Sequence, residues 1–168
     1  HQTAGTVVRV RQGLFEALAI FAVHRFQNFL DDRVGQVIDD FSEIVEINKK
    51  PGRDQIRNSN SVMLEILSRK FGGSAAILPI ARDDISELKF QISNAAKNSD
   101  VLIITGGVSV GKYDLTKTAL NELGAEIFFE KIRLKPGKPA VFARLGKCLV
   151  FGLPGNPVSA AVTFHLFV

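Results

Sequence analysis

The residues VLIITGGVSVGKYDLTK (101–117) run from an apolar stretch into a glycine pair, a hydroxyl and an aspartate. Gly106 and Gly107 let the backbone take positive φ angles and come close to a ligand. The main-chain amides of such a turn, backed by the start of a following helix, form a positive concavity that suits phosphate. Thr105 and Ser109 add hydroxyl donors to it. Asp114 has two uses: it can cap the next helix, worth about 1 kcal/mol, or it can hold a divalent cation against a phosphate.

Three further stretches carry similar chemistry. In LKPGKPAVF, Lys135 and Lys138 flank a Pro-Gly turn stiffened by prolines on either side. Two ammonium groups held this close repel each other unless an anion lies between them, so the loop reads as an anion clamp. LPGNPVSA (153–160) is a second glycine turn entering a helix. Asn156 suits the N-cap, Pro157 the first helical position, and Ser159 adds a donor. A well-capped helix start accounts for that stretch equally well. Of the pair Asp83-Asp84, Asp84 has a capping position with Glu87 three residues on. That leaves Asp83 as the metal or acid–base candidate. His1, His24 and His165 show no metal-ligand spacing. His24, His165 and Cys148 read as packing residues.

These residues need a scaffold, and the hydrophobic pattern supplies one. From about Gly13 to Phe41 apolar residues fall at helical spacing, including Leu14, Leu18, Phe26, Val34, Val37 or Ile38, and Phe41. Residues 1–45 are thus expected to be a helical segment, with residues 46–168 as the domain that carries the site. Beyond Ile56 helices and strands alternate. Ser59 or Asn60 can cap a helix with Met63, Ile66, Leu67 and Phe71 inward, and Gly72 stops it. AAILPI is a short strand, and Asp84 opens a helix with Leu88, Ile92 and Ala95 inside. VLIIT is a central strand covered on both faces. Asp114 starts a helix with Leu115, Ala119 and Leu123 inside, ended by Gly124. AEIFFEKI is a strand, AVFAR and CLVFG form a hairpin, and a final helix follows Asn156. The expected architecture is α/β with three layers, a mostly parallel sheet with helices on both faces. Ligands of such sheets sit beyond the carboxyl ends of the strands, where both glycine turns fall.

Composition narrows the class. In 168 residues with 46% hydrophobic content there is enough apolar surface for one core. The early run LFEALAIFAV is too short to span a bilayer and lacks a signal-peptide cleavage pattern, so no membrane role is expected. A lone cysteine excludes an internal disulfide framework and fits a reducing cytoplasmic compartment. Net charge is +4, and residues 131–168 hold Lys131, Arg133, Lys135, Lys138, Arg144 and Lys147 without one acid. That field favours an anionic ligand. Aromatic residues do not interleave with the lysines, so nucleic acid is not expected.

Together PGRDQIRNSNS, ARDD, ITGGVSVGKYDLTK, IRLKPGKPAVF and FGLPGNPVSAAVTF closely resemble the molybdopterin molybdotransferases, the molybdenum insertases, from about Pro51 to Val168. The resemblance implies the molybdopterin-binding fold. It implies a reaction in which molybdate enters adenylylated molybdopterin and AMP leaves, with Mg2+ or a similar cation. It makes Asp83 and Asp114 the catalytic acids and metal ligands. Gly106, Gly107, Ser109 and Gly111, with Thr105, become the pterin-phosphate loop, and Lys135 and Lys138 the molybdate or phosphate loop. Pro154, Gly155, Asn156, Pro157 and Ser159 become the second ligand loop. A homodimer and an adenylyltransferase partner are implied by the family as well.

One family motif is altered. DDFSEIVE stands where the family has Ser-Thr-Gly-Asp-Glu: Ser42 and Glu43 can be aligned, Thr-Gly-Asp is absent, and Glu43 stands opposite the family's catalytic glutamate. The family's flanking domains are expected to lie outside this chain. Two alternatives follow: a molybdopterin-binding module without turnover, and the adenylyltransferase of the same fold. The latter usually carries TGGTG where this chain has TGGVSVG.

Overall fold

The computed structural model describes residues 34–40, 44–45, 48–81, 84–106, 115–133 and 139–168. Its main sheet has six strands: β1 (Val34–Asp40), β4 (Ser74–Ile77), β5 (Val101–Gly106), β6 (Glu126–Lys131), β7 (Pro139–Leu145) and β8 (Cys148–Leu153). A second, two-stranded sheet pairs β2 (Ile44–Val45) with β3 (Ile56–Arg57) in parallel. The described residues form four helices, α1 (Asn60–Lys70), α2 (Ile85–Asn98), α3 (Leu115–Glu122) and α4 (Pro157–Phe167).

The large sheet has the order β4-β1-β5-β8-β7-β6. Strands β4, β1, β5 and β8 run parallel, and β7 is antiparallel to both β8 and β6. Five of the six strands thus point one way. The expectation of a mostly parallel sheet between helical layers holds.

The side chains of β5 divide the two layers. Leu102 and Ile104 face one core with Leu88, Ile92 and Ala95 of α2 and Ala119 and Leu120 of α3. Val101 and Ile103 face the other with Leu64 of α1 and Ala160 and Phe164 of α4. A strand covered on both faces has no polar side to show, which is why VLIIT lacks alternation.

Two expectations fail. The helical spacing read through Val34, Val37 and Ile38 belongs to a strand: β1 lies between β4 and β5, with Val37 and Ile38 buried on opposite faces. The sheet therefore takes in residues ahead of the expected boundary at 46; residues 1–33 lie outside the described residues. In α1, Met63 and Leu67 pack against the core as expected, but Ile66 and Phe71 are exposed, and the fully buried residues are Asn60, Ser61 and Leu64. The capping oxygen is also displaced: Asn58 Oδ1 accepts from the Ser61 amide at 3.0 Å, where Ser59 or Asn60 was expected.

Other local expectations hold. Asp84 Oδ1 accepts from the amides of Ser86 and Glu87 at 2.7 and 3.2 Å. Leu145 pairs with Cys148 across a two-residue turn at Gly146-Lys147. Cys148 is fully buried, and its desolvation pushes the thiol above its ordinary value. His165 is exposed but packs edge-on against Phe71 and Phe164, with centroids 5.6 and 6.0 Å apart.

Candidate functional site

The register of the parallel strands brings the candidate loops together. Thr105 pairs with Asp39 on one side and Leu153 on the other, and Gly106 pairs with Asp40. Three strands thus end side by side, and the turns after Gly106 and after Leu153 leave from adjacent positions. The chain goes from β1 outward to β4 on one side, then crosses back past β1 to β5 and on to β6, β7 and β8 on the other, so this edge contains the point where the winding reverses. Open α/β sheets bind ligands there. Gly106 has φ +107°, a conformation that side chains rarely adopt, as expected for a tight turn.

The basic stretch divides in space. β6 ends at Lys131 and β7 begins at Pro139, and these two residues pair at the same carboxyl edge. Lys131 and Arg133 are exposed there. Arg144 and Lys147 lie instead at the opposite end, beside the hairpin turn, and Arg144 pairs with Glu126 at 2.5 Å. The described cations of residues 131–168 are therefore divided between the two ends of the sheet, two at each.

The turn after β8 is described in full. Asn156 has the extended backbone of an N-cap, and its Oδ1 accepts from the Ser159 amide at 3.1 Å. Pro157 is the first residue of α4, and Pro154 and Ser159 are buried. Thr105 is buried completely, and its hydroxyl is used internally. Its Oγ1 accepts from Asn60 Nδ2 at 2.9 Å and donates to the Pro154 carbonyl at 3.3 Å. Asn60 Nδ2 also donates to the Gly155 carbonyl at 2.8 Å. Asn60 was read from the sequence only as a helix cap, and its part in joining the turns was missed.

Asp83, Gly107, Ser109, Gly111, Asp114, Lys135 and Lys138 lie outside the described residues, as does Glu43. Their neighbours do have positions. Asp84 caps α2 and Leu115 opens α3, and these two helices share one face of the sheet. Both helices follow strands that end at the carboxyl edge. Among the described residues, no group of three or more His, Cys, Asp or Glu could hold a metal ion. No described helix is long and apolar enough to cross a membrane.

Comparison with known proteins agrees with this architecture. Residues 34–168 match the family model described as a probable molybdopterin binding domain. The chain belongs to that family.

Among its relatives is a molybdopterin molybdenumtransferase of Haemophilus influenzae, 36% identical over 151 residues, 90% of this chain and 37% of that protein. The enzyme of that name from Bacillus subtilis is 33% identical over 166 residues, 99% of this chain and 38% of that protein. A solved molybdopterin biosynthesis MoeA protein of Pyrococcus horikoshii is 33% identical with a TM-score of 0.73, over 81% of this chain and 33% of that one. The molybdenum cofactor biosynthesis protein B structure, 18% identical with a TM-score of 0.59, covers 79% of this chain and 86% of its own; that likeness concerns the fold alone. The chain thus spans little more than a third of the length of these transferase relatives.

Proposed function

We propose that this chain supplies the pterin-nucleotide site of a molybdenum insertase. It holds adenylylated molybdopterin across the carboxyl edge of the sheet while molybdate enters the dithiolene and AMP is released. The observation that carries this reading is the parallel register that sets Asp39, Thr105 and Leu153 side by side. Two amide-bearing turns then leave from one rim, and exposed Lys131 and Arg133 stand near it. Turn amides and a helix N-terminus suit phosphate oxygens, and cations at the rim steer an anionic substrate toward them.

Within this reading Gly106, Gly107, Ser109 and Gly111 bind the pterin phosphate, while Pro154, Gly155, Asn156, Pro157 and Ser159 form the opposite wall. Lys135 and Lys138 hold the oxyanion between two ammonium groups. Asp83 and Asp114 hold a divalent cation such as Mg2+. Asp84 supports that division of labour, since its own carboxylate is already committed to the α2 amides. The cation supplies positive charge against the phosphate linkage that is broken. The site-bearing domain begins at β1, the protein works in the cytoplasm, and it dimerises or meets an adenylyltransferase that delivers its substrate.

The test is to add adenylylated molybdopterin, magnesium and molybdate to the full chain. Release of AMP with formation of active cofactor is the expected result. Saturable binding without AMP would leave a binding module, a reading favoured by DDFSEIVE standing in place of the family's Ser-Thr-Gly-Asp-Glu. Absence of binding would end the proposal.

A further inference from the structure

The Asn60 carboxamide sits at the buried start of α1, with the residue 6% exposed. Both hydrogens of its Nδ2 are used, one on Thr105 Oγ1 at 2.9 Å and one on the Gly155 carbonyl at 2.8 Å. The Gly155 oxygen can only accept, so the orientation of the amide is fixed by chemistry. The Thr105 hydroxyl, having accepted, gives its own hydrogen to the Pro154 carbonyl. One side chain thus holds, directly or through Thr105, two consecutive carbonyls of the turn after β8.

In a trans peptide the carbonyl and the following amide point in opposite directions. Holding the Pro154 carbonyl inward turns the Gly155 N–H outward, and holding the Gly155 carbonyl inward does the same for the Asn156 N–H. Packing does not explain the choice of residue. Among the described residues Asn60 Oδ1 is buried without a hydrogen-bond partner, a penalty of about 1–3 kcal/mol that an apolar residue would avoid.

We infer that Asn60 is a positioning residue: through Thr105 and Gly155 it sets the outward direction of the Gly155 and Asn156 amides that face an anionic ligand. This rests on the proposed pterin-nucleotide site and names what orients one of its walls. The arrangement needs a donor at residue 60. Asn60→Asp keeps the shape but aims an oxygen at the Gly155 carbonyl and draws the Thr105 hydroxyl's hydrogen away from the Pro154 carbonyl, so it harms the turn at least as much as Asn60→Ala. A role in packing alone predicts the reverse order.

The experiment has two arms on the full chain. Without ligand, amide NMR shifts and hydrogen exchange at Gly155 and Asn156 are compared in the parent, Asn60→Ala, Asn60→Asp and Leu64→Ala. Leu64 is fully buried on the same helix and controls for lost stability. Both Asn60 variants are expected to move these amides, and Leu64→Ala to leave them in place. With adenylylated molybdopterin as the probe, Asn60→Ala and Asn60→Asp should bind roughly tenfold more weakly, the scale of one or two lost hydrogen bonds. Leu64→Ala, measured where it is folded, should bind as the parent does. Unmoved amides in the Asn60 variants, or an equal loss in Leu64→Ala, would overturn the inference. A parent chain that fails to bind the probe would count against the proposed function, and the ligand-free arm would still decide the part played by Asn60.

Discussion

Gly106 and Gly146 offer a matched test of where the ligand edge lies. Both have positive φ, +107° and +62°. They sit at opposite ends of the sheet, Gly106 where β5 finishes and Gly146 in the turn that starts β8. A Cβ at Gly146 would meet nothing within 4 Å, so Gly146→Ala introduces only backbone strain. That strain is about 1–2 kcal/mol, or roughly 2–8 °C in Tm for a domain of this size. At +107° Gly106 is further from the left-handed minimum near +57°, and alanine there costs about 1–3 kcal/mol. The chain relieves that cost by rotating the peptide between residues 106 and 107, which redirects the amides entering the turn. Gly106→Ala should therefore weaken adenylylated molybdopterin by more than about tenfold, equivalent to about 1.4 kcal/mol, while Gly146→Ala binds as the parent does. Thermal unfolding and titration calorimetry read the two quantities separately. Unchanged affinity in Gly106→Ala, or an equal loss in Gly146→Ala, would refute the placement of the ligand at the carboxyl edge.

The neighbouring aspartates should separate in the same way. Asp84→Ala removes two bonds to the α2 amides and should lower stability by about 1 kcal/mol with pterin binding intact, as thermal melts and calorimetry would show. Asp83→Asn and Asp114→Asn should instead reduce magnesium-dependent AMP release and leave Tm nearly unchanged; parental turnover would remove them from the cation site. Lys135→Ala combined with Lys138→Ala should weaken molybdate selectively in a direct binding assay, and equal affinity would reject the clamp. Burial raises the Cys148 thiol above 9.0, its ordinary value, against the opposing Ser99 hydroxyl. The unfolded chain loses that proton first, so the protonated thiol's contribution is complete below pH 9.0 and is lost as pH rises through the raised value. Denaturant titrations should show that alkaline loss in the parent and a smaller one in Cys148→Ala; identical slopes would contradict it.

Most elements were legible because local chemistry and burial agree in them. Asp84, Asn156 and Pro157 mark helix starts through the hydrogen bonds they make or spare. Leu88, Ile92 and Ala95 mark a buried stripe at the right spacing. β1 was not legible for a physical reason. A strand covered on both faces has no polar alternation, and apolar residues at 34, 37 and 38 copy one turn of a helix. Gly35 held the missed signal: its Cβ position lies 3.7 and 3.8 Å from carbonyls of Ser74 and Val101. Those are ordinary van der Waals distances, so the signal lay only in a helix interior's disfavour for glycine.

The error in α1 and the missed part played by Asn60 have one cause. Pattern reading sends polar residues outward because burying them unpaired is costly. Asn60 and Ser61 turn inward, so the apolar pattern, which rightly included Met63 and Leu67, was extended to Ile66 and Phe71 on the exposed side. What makes the inward position tolerable lies 45 and 95 residues along the chain, at Thr105 and Gly155. No local window contains those acceptors. A buried amide whose partners all belong to the turns of one rim is thus a feature that only the folded chain reveals. It also explains why that helix begins where it does: the start of α1 is placed by the rim it helps to hold, and its apolar side follows from that placement.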